Sequence, residues 1–204
     1  MKRKIPALLL ALLLVFSAAL PAGAAGYRCA VRSWPPDCWK QFFCDRFGIG
    51  CGGQMHGLVV LDEQDNVIRP AILWNDGRSA PQTAYLNSLG TLPTLTGNIA
   101  FPGFTAPKIL WVKENEPENF AKTKKICLPK DYLAYKLTGV FSSEYSDAAG
   151  MLLLDVQNKC WSPEMCEICG ITVDMLPTLF ESYEATGKLK AEYSLPNAIL
   201  CAGA

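Results

Sequence analysis

From residue 57 onward the chain alternates short apolar runs with segments bearing helix start and stop signals, which restricts it to the α/β class. Leu58-Val59-Val60-Leu61 is a run of strand length. Asp62-Glu63-Gln64-Asp65-Asn66 supplies turn residues and Val67-Ile68 begins a return strand, which predicts a hairpin. Ile72-Leu73-Trp74 is a third apolar stretch, ending in the turn signal Asn75-Asp76-Gly77. Residues 79–89 read as a helix closed by Gly90. A second helix is expected with Thr105 as its cap, Pro107 in its first turn and Ile109, Leu110 and Val112 on its apolar face. Ile126-Cys127-Leu128 predicts a strand, and residues 130–137 a helix closed by Thr138-Gly139. Met151-Leu152-Leu153-Leu154 predicts another strand. Ser162-Pro163-Glu164 opens a short helix to Cys169, and Ala198-Ile199-Leu200-Cys201 reads as a buried strand.

The start of the chain is of another kind. Met1-Lys2-Arg3-Lys4 is positive, the next sixteen residues are almost wholly apolar, and Pro21-Ala22-Gly23-Ala24-Ala25 is built of small residues. Residues 1–25 therefore resemble a secretory signal, and the apolar run is short for a permanent membrane anchor. Residues 26–52 read as an irregular Cys-rich joint, because Trp34-Pro35-Pro36 breaks any regular element and Gly48, Gly50 and Gly52 loosen its end. That leaves residues 53–204 as the domain proper. Cys29, Cys38, Cys44 and Cys51 suit disulfides in an exported chain, but Cys127, Cys160, Cys166, Cys169 and Cys201 are scattered through the rest. Nine is odd, so complete pairing within one chain is excluded and the compartment stays open. Lys+Arg and Asp+Glu both number 19, so there is no basic excess of the kind that binds nucleic acid.

Two stretches carry candidate chemistry. His56, the only histidine, lies in Gly53-Gln54-Met55-His56-Gly57, where glycines on both sides allow a close approach to a ligand. Its imidazole is suited to a hydroxyl of a sugar, although on spacing alone a structural bond within a loop is the more ordinary role. Trp74-Asn75-Asp76-Gly77-Arg78 follows an expected strand end, a common site for ligand groups in open α/β folds. Trp74 suits the apolar face of a sugar and Asp76 and Arg78 its hydroxyls, while a plain turn with a local Asp–Arg ion pair fits the same residues. Gly48-Ile49-Gly50-Cys51-Gly52-Gly53 matches G-x-G-x-x-G without the strand and helix that give this pattern meaning. Cys166 and Cys169 form C-x-x-C with no second pair or histidine nearby, so both sulfurs are expected to be buried on a helix and no metal is assigned.

The motifs then fall into an order. Gln54-Met55-His56-Gly57, Ile72-Leu73-Trp74-Asn75-Asp76-Gly77-Arg78, Leu95-Thr96-Gly97-Asn98, Pro102-Gly103-Phe104-Thr105-Ala106-Pro107-Lys108, Leu128-Pro129-Lys130-Asp131-Tyr132-Leu133 and Ser146-Asp147-Ala148-Ala149-Gly150 closely resemble the xylulose kinases of the FGGY carbohydrate kinase family. The resemblance runs from residue 53 to the last residue. It implies an actin-like, ribonuclease-H-like α/β lobe, one of two lobes between which sugar and ATP meet. It implies that Met55 and His56 contact the sugar and that Trp74, Asp76 and Arg78 line the same pocket. The implied reaction transfers the ATP γ-phosphoryl group to D-xylulose, with Mg²⁺, in the cytoplasm.

The resemblance also sets an expectation of what is missing. The family's N-terminal Asp-x-Gly-Thr phosphate loop has no counterpart in residues 1–52, and its catalytic Asp follows a stretch like Cys201-Ala202-Gly203-Ala204, where this chain ends. With the ATP lobe also absent, the expectation is a partial N-terminal sugar-binding domain without kinase activity of its own, since base, phosphate cradle and Mg²⁺ are all needed for phosphoryl transfer. The alternatives are an exported, non-catalytic sugar-binding protein, its membrane contact limited to the signal-like segment, and one half of a split kinase completed by a second chain.

Overall fold

The computed structural model describes residues 48–193 and 198–203. The signal-like segment, most of the Cys-rich joint and Cys29, Cys38 and Cys44 lie outside the described residues. Strand β1 (Gly48–Gly50) pairs in parallel with β9 (Ile199–Cys201), which pairs antiparallel with β8 (Ala185–Lys188). The sequence placed Gly48, Ile49 and Gly50 in an irregular joint; they form a strand because a partner lies about 150 residues further on, beyond the reach of local pattern. Cys51, just past β1, is buried with Ala134, Leu189, Ala198 and Leu200.

Strand β2 (Val59–Leu61) is buried on both faces and pairs antiparallel with β3 (Lys125–Cys127). The expected hairpin and the expected strand at Ile72 are each reduced to a single bridge, Leu61 to Val67 and Leu58 to Ile72. Asp62 explains the first: its carboxylate accepts from the backbone N–H groups of Gln64 and Asn66, which tightens a turn and ends the pairing. Four helices follow as α1 (Ala80–Ser88), α2 (Leu92–Thr96), α3 (Thr105–Asn115) and α4 (Pro117–Lys122). Helix α3 is capped at Phe104 rather than at the expected Thr105; the Thr105 hydroxyl is committed elsewhere, to the carbonyl of His56.

Helix α5 (Pro129–Thr138) starts right after β3. Asp131 reaches back to the Leu128 N–H at 3.3 Å, and Gly139 ends the helix at φ 80°. Strand β4 (Ser142–Glu144) pairs in parallel with β7 (Thr178–Phe180), and α6 (Tyr145–Ala149) is capped by the Glu144 carboxylate, which accepts from the N–H groups of Ser146 and Asp147. Residues 151–154 are wholly buried, but only Leu154 enters a strand, β5 (Leu154–Asp155), paired with β6 (Cys160–Trp161). Leu152 sits at φ 59°, so the run is an interior turn rather than the strand its apolarity suggested. Helix α7 (Pro163–Cys169) is capped by the Ser162 hydroxyl and buries Met165, Cys166 and Cys169.

The main core joins β2 and β3 residues to α3, to residues 151–154 and to α7. Ala106, Ile109, Leu110 and Val112 bring the inner face of α3 into it. Among the described residues no helix is long and apolar enough to cross a membrane.

Candidate functional site

Residues 53–57 cross the start of two helices. Gly57 is pressed against the Pro129 ring at the head of α5, and the backbone of Gly53 passes over Lys130. The chain reverses at His56, whose φ is 62°, and the turn is closed by a 2.8 Å bond from the Gly57 N–H to the Met55 carbonyl. A residue with a Cβ pays about 1–2 kcal/mol in this left-handed region, so something must hold it there. The holding groups converge on the His56 carbonyl: the Thr105 hydroxyl and the Lys108 ammonium each donate to it at 3.2 Å.

The His56 ring is fixed as firmly as its backbone. Its Nδ1 donates to the Gly150 carbonyl at 3.1 Å, and the ring packs on Phe104 with centroids 4.7 Å apart. Burial lowers the imidazole pKa below its ordinary value, the bond to Gly150 opposes that shift, and the Lys108 charge adds to it. A neutral ring with its proton on Nδ1 carries a lone pair on Nε2, which has no hydrogen-bond partner among the described residues. A hydroxyl donor is the group that such an atom accepts. Gly150 is what permits this arrangement. Its φ is an ordinary −74°, but a Cβ there would lie 2.2 Å from His56 Cε1 and 2.4 Å from Nδ1.

Met55 is exposed beside His56, and Trp74, at 59%, is the most exposed of the large apolar side chains among the described residues. The carbonyl of Trp74 sits over Gly103, where a Cβ would approach it to 2.9 Å, so its loop adjoins the Gly103-Phe104 segment on which His56 rests. Asp76 and Arg78 are engaged with each other. The Arg78 N–H and guanidinium both donate to the Asp76 carboxylate, and the guanidinium lies 4.7 Å from the centre of the Trp111 ring. These bonds from Arg78 hold the Asp76 carboxyl below its usual range. The structure thus joins Met55 and His56 in one turn and sets Trp74 in the loop next to it. Asp76 and Arg78 form the local ion pair that their spacing also allowed.

Two buried lysines were not singled out from the sequence as site residues. Lys108 is 0% exposed and its ammonium donates to the carbonyls of His56, Gly103 and Phe104. Lys130 donates to Asp147 at 2.8 Å and to the Ala202 carbonyl at 3.3 Å, with Asp131 and Glu144 each at 3.7 Å. Burial opposes the Lys130 charge, but Asp131, Asp147 and Glu144 together raise its pKa. Asp131, the most buried of them, is pushed up to about 7 by that burial although Lys130 pulls the other way. Lysine inside an otherwise apolar stretch was the available signal at Lys108. Among the described residues no set of three His, Cys, Asp or Glu side chains is grouped to hold a metal ion. Asp131, Glu144 and Asp147 are turned onto Lys130 instead.

The chain is similar to known proteins over most of the described residues. The N-terminal domain model of the FGGY family of carbohydrate kinases matches residues 43–197. The chain is 49% identical to the xylulose kinase of Escherichia coli K12 over 145 residues, which is 71% of this chain and 30% of that protein. It is 51% identical to the xylulose kinase of Lactococcus lactis over 158 residues, 74% of this chain and 32% of the other. A crystal structure described as a xylulose kinase from Brucella ovis superposes with a TM-score of 0.75 at 47% identity, covering 78% of this chain and 34% of that one. The chain thus spans about a third of the length of the relatives it matches. Its α/β architecture is that of an actin-like sugar-kinase lobe, and the chain belongs to the FGGY family of carbohydrate kinases.

Proposed function

We propose that this chain carries the sugar-binding half of a ketose kinase, with D-xylulose as the ligand and phosphorylation at the expense of ATP as the reaction it serves. The observation that carries the reading is the His56 ring, held by the Gly150 carbonyl so that Nε2 is left as an acceptor for a sugar hydroxyl. Met55 supplies an apolar contact next to it, and Trp74 offers an aromatic face to the C–H side of the sugar. Asp76 and Arg78 shape the loop that carries Trp74, acting through their mutual ion pair. The relatives named above are xylulose kinases, which favours D-xylulose over other polyols.

Among the described residues the buried carboxylates of Asp131, Glu144 and Asp147 serve Lys130. What the described residues do is bind and orient a sugar, the part of phosphoryl transfer that depends on positioning. The pairing of Gly48–Gly50 with Ile199–Cys201 supports a kinase-like unit that takes in residues before 53 as well. A cytoplasmic location goes with a reaction that draws on ATP.

Titration of the purified chain with D-xylulose, followed calorimetrically and by tryptophan emission, tests the reading. Binding is expected, weakened about tenfold or more in His56→Ala, as loss of one well-placed hydrogen bond to a polar ligand predicts. Equal affinity for D-xylulose in wild type and His56→Ala refutes the assignment of His56. A coupled assay with ATP reports on turnover separately from binding.

A further inference from the structure

We infer that Lys108 is a positioning residue for the sugar turn, its ammonium acting as the template on which the His56 backbone and the residues 103–104 are assembled. The inference rests on the sugar-binding reading for its ligand, while the clamp itself is a property of the chain alone.

The argument begins with a residue in the wrong place. Lys108 lies in the first turns of α3, where the helix presents its positive end, and it is fully buried. A buried ammonium is retained only when its donors are all used. Here an ammonium has three N–H groups and three carbonyls receive them, those of His56, Gly103 and Phe104. Among the described residues no carboxylate touches it. The acceptors belong to two separate stretches of chain, so the ammonium ties the turn at 53–57 to the entry of α3. His56 is the residue among them that sits at an unfavourable φ, and Phe104 is the one its ring packs on. Lys108 therefore fixes both the carbonyl of His56 and the surface beneath its imidazole. Uncharged lysine has only two N–H groups and cannot serve all three carbonyls.

This gives the clamp a pH limit. Desolvation lowers the Lys108 pKa to about 8, with Asp76 opposing the shift. The charged and titratable groups facing the ammonium are Asp76 and His56; Asp76 favours its charge and the imidazole, neutral at this pH, senses it. Loss of the proton should loosen the turn without unfolding the domain.

Because His56 is the only histidine, its imidazole Cε1–H signal is a unique NMR reporter. In the wild-type chain that signal is expected to show, besides its own acidic titration, an inflection near the Lys108 pKa of about 8, and Lys108→Met should abolish the inflection. D-xylulose affinity should fall about tenfold between neutral and strongly alkaline pH in the wild type, and be both low and pH-independent over that range in Lys108→Met. Should the variant fail to fold, the wild-type titration decides alone. A His56 signal and a D-xylulose affinity that are both flat from neutral to strongly alkaline pH overturn the inference. If the wild type binds no D-xylulose but the imidazole signal follows Lys108 and the exchange protection of the Gly57 N–H falls with it, the sugar reading falls and the clamp stands. If D-xylulose binds with the same affinity in Lys108→Met as in wild type, the clamp falls and the sugar reading stands.

Discussion

Replacing Gly150 by alanine is the sharpest perturbation of the proposed site, because the clash it creates is confined to one ring. The new Cβ would lie 2.2 Å from Cε1 and 2.4 Å from Nδ1 of His56, while its next contact, the Asp147 carbonyl at 3.4 Å, is ordinary. Gly150 has φ −74° and ψ −7°, so alanine adopts its backbone without strain and gains about 0.4–1 kcal/mol from the stiffer unfolded chain. Against that stands an overpacking cost of about 1–3 kcal/mol. Displacing the ring also breaks the bond to the Gly150 carbonyl, a further 0.5–1.5 kcal/mol or so. The net expectation for Gly150→Ala is a loss of about 1–3 kcal/mol, together with loss of D-xylulose affinity because Nε2 no longer points where it did.

The same substitution made in a His56→Ala background meets no ring. There it should be neutral or mildly stabilising, so the double-mutant cycle should return a coupling of about 2–4 kcal/mol. Urea unfolding of the four chains measures it, provided the slopes agree, so that midpoints translate into free energies. Additivity to within about 0.5 kcal/mol would refute the reasoning, since it would mean that the ring has somewhere else to go at no cost.

The remaining expectations concern buried groups outside the turn. Asp131, with its carboxyl raised from 3.8 to about 7, keeps a proton in the folded chain that the unfolded chain releases, so its contribution to stability declines as pH rises through that interval. Asp131→Asn cannot titrate; its stability relative to wild type should improve as pH rises through that interval, and a gap that stays constant with pH would contradict the placement. Alkylation of the native chain near neutral pH should modify exposed Cys160 well before Cys127, Cys166 and Cys169, whose thiols burial pushes up, Cys166 to about 11 and Cys169 to about 12. Mass mapping of the labelled peptides checks this, and equal rates at Cys160 and Cys169 would count against the buried α7 face.

What the sequence revealed depended on how local the cause was. Helix ends were legible because their signals are local: Gly139 and Gly170 stop α5 and α7 at φ 80° and 74°, and the Ser162 hydroxyl accepts from the Met165 N–H as its position suggested. Strands were legible only where apolar runs meet a partner. Val59–Leu61 does, whereas residues 151–153 are as apolar and as buried but form a turn, a distinction that hydrophobicity cannot make over so short a run. Gly48–Gly50 was invisible because glycine has no strand preference and its partner is remote. In the site, flanking glycines and the family motif pointed to Met55 and His56. Neither pointed to Gly150 as the seat of the His56 ring, since its own backbone is unremarkable and the need for glycine comes from a residue 94 positions away.

The two buried lysines next to the 53–57 turn answer pH in opposite ways, and this separates their roles. Lys108 meets only carbonyls, so burial prevails and its pKa falls to about 8. Lys130 meets Asp131, Glu144 and Asp147, so its charge is favoured and its pKa rises despite burial. Between about 8 and the ordinary lysine value of 10.5, Lys108 is therefore neutral while Lys130 still binds Asp147 under Gly53. Over the same interval the unfolded chain holds a proton on residue 108 that the folded chain has released, so this group makes the global stability rise, not fall. Local order at His56 and overall stability must then part company: the imidazole signal changes while the unfolding free energy contributed by Lys108 improves. That rise in stability follows from the lowered pKa whatever Lys108 does, so a loosened turn at His56, not the unfolding free energy, distinguishes a template for the sugar turn from a mere core contact.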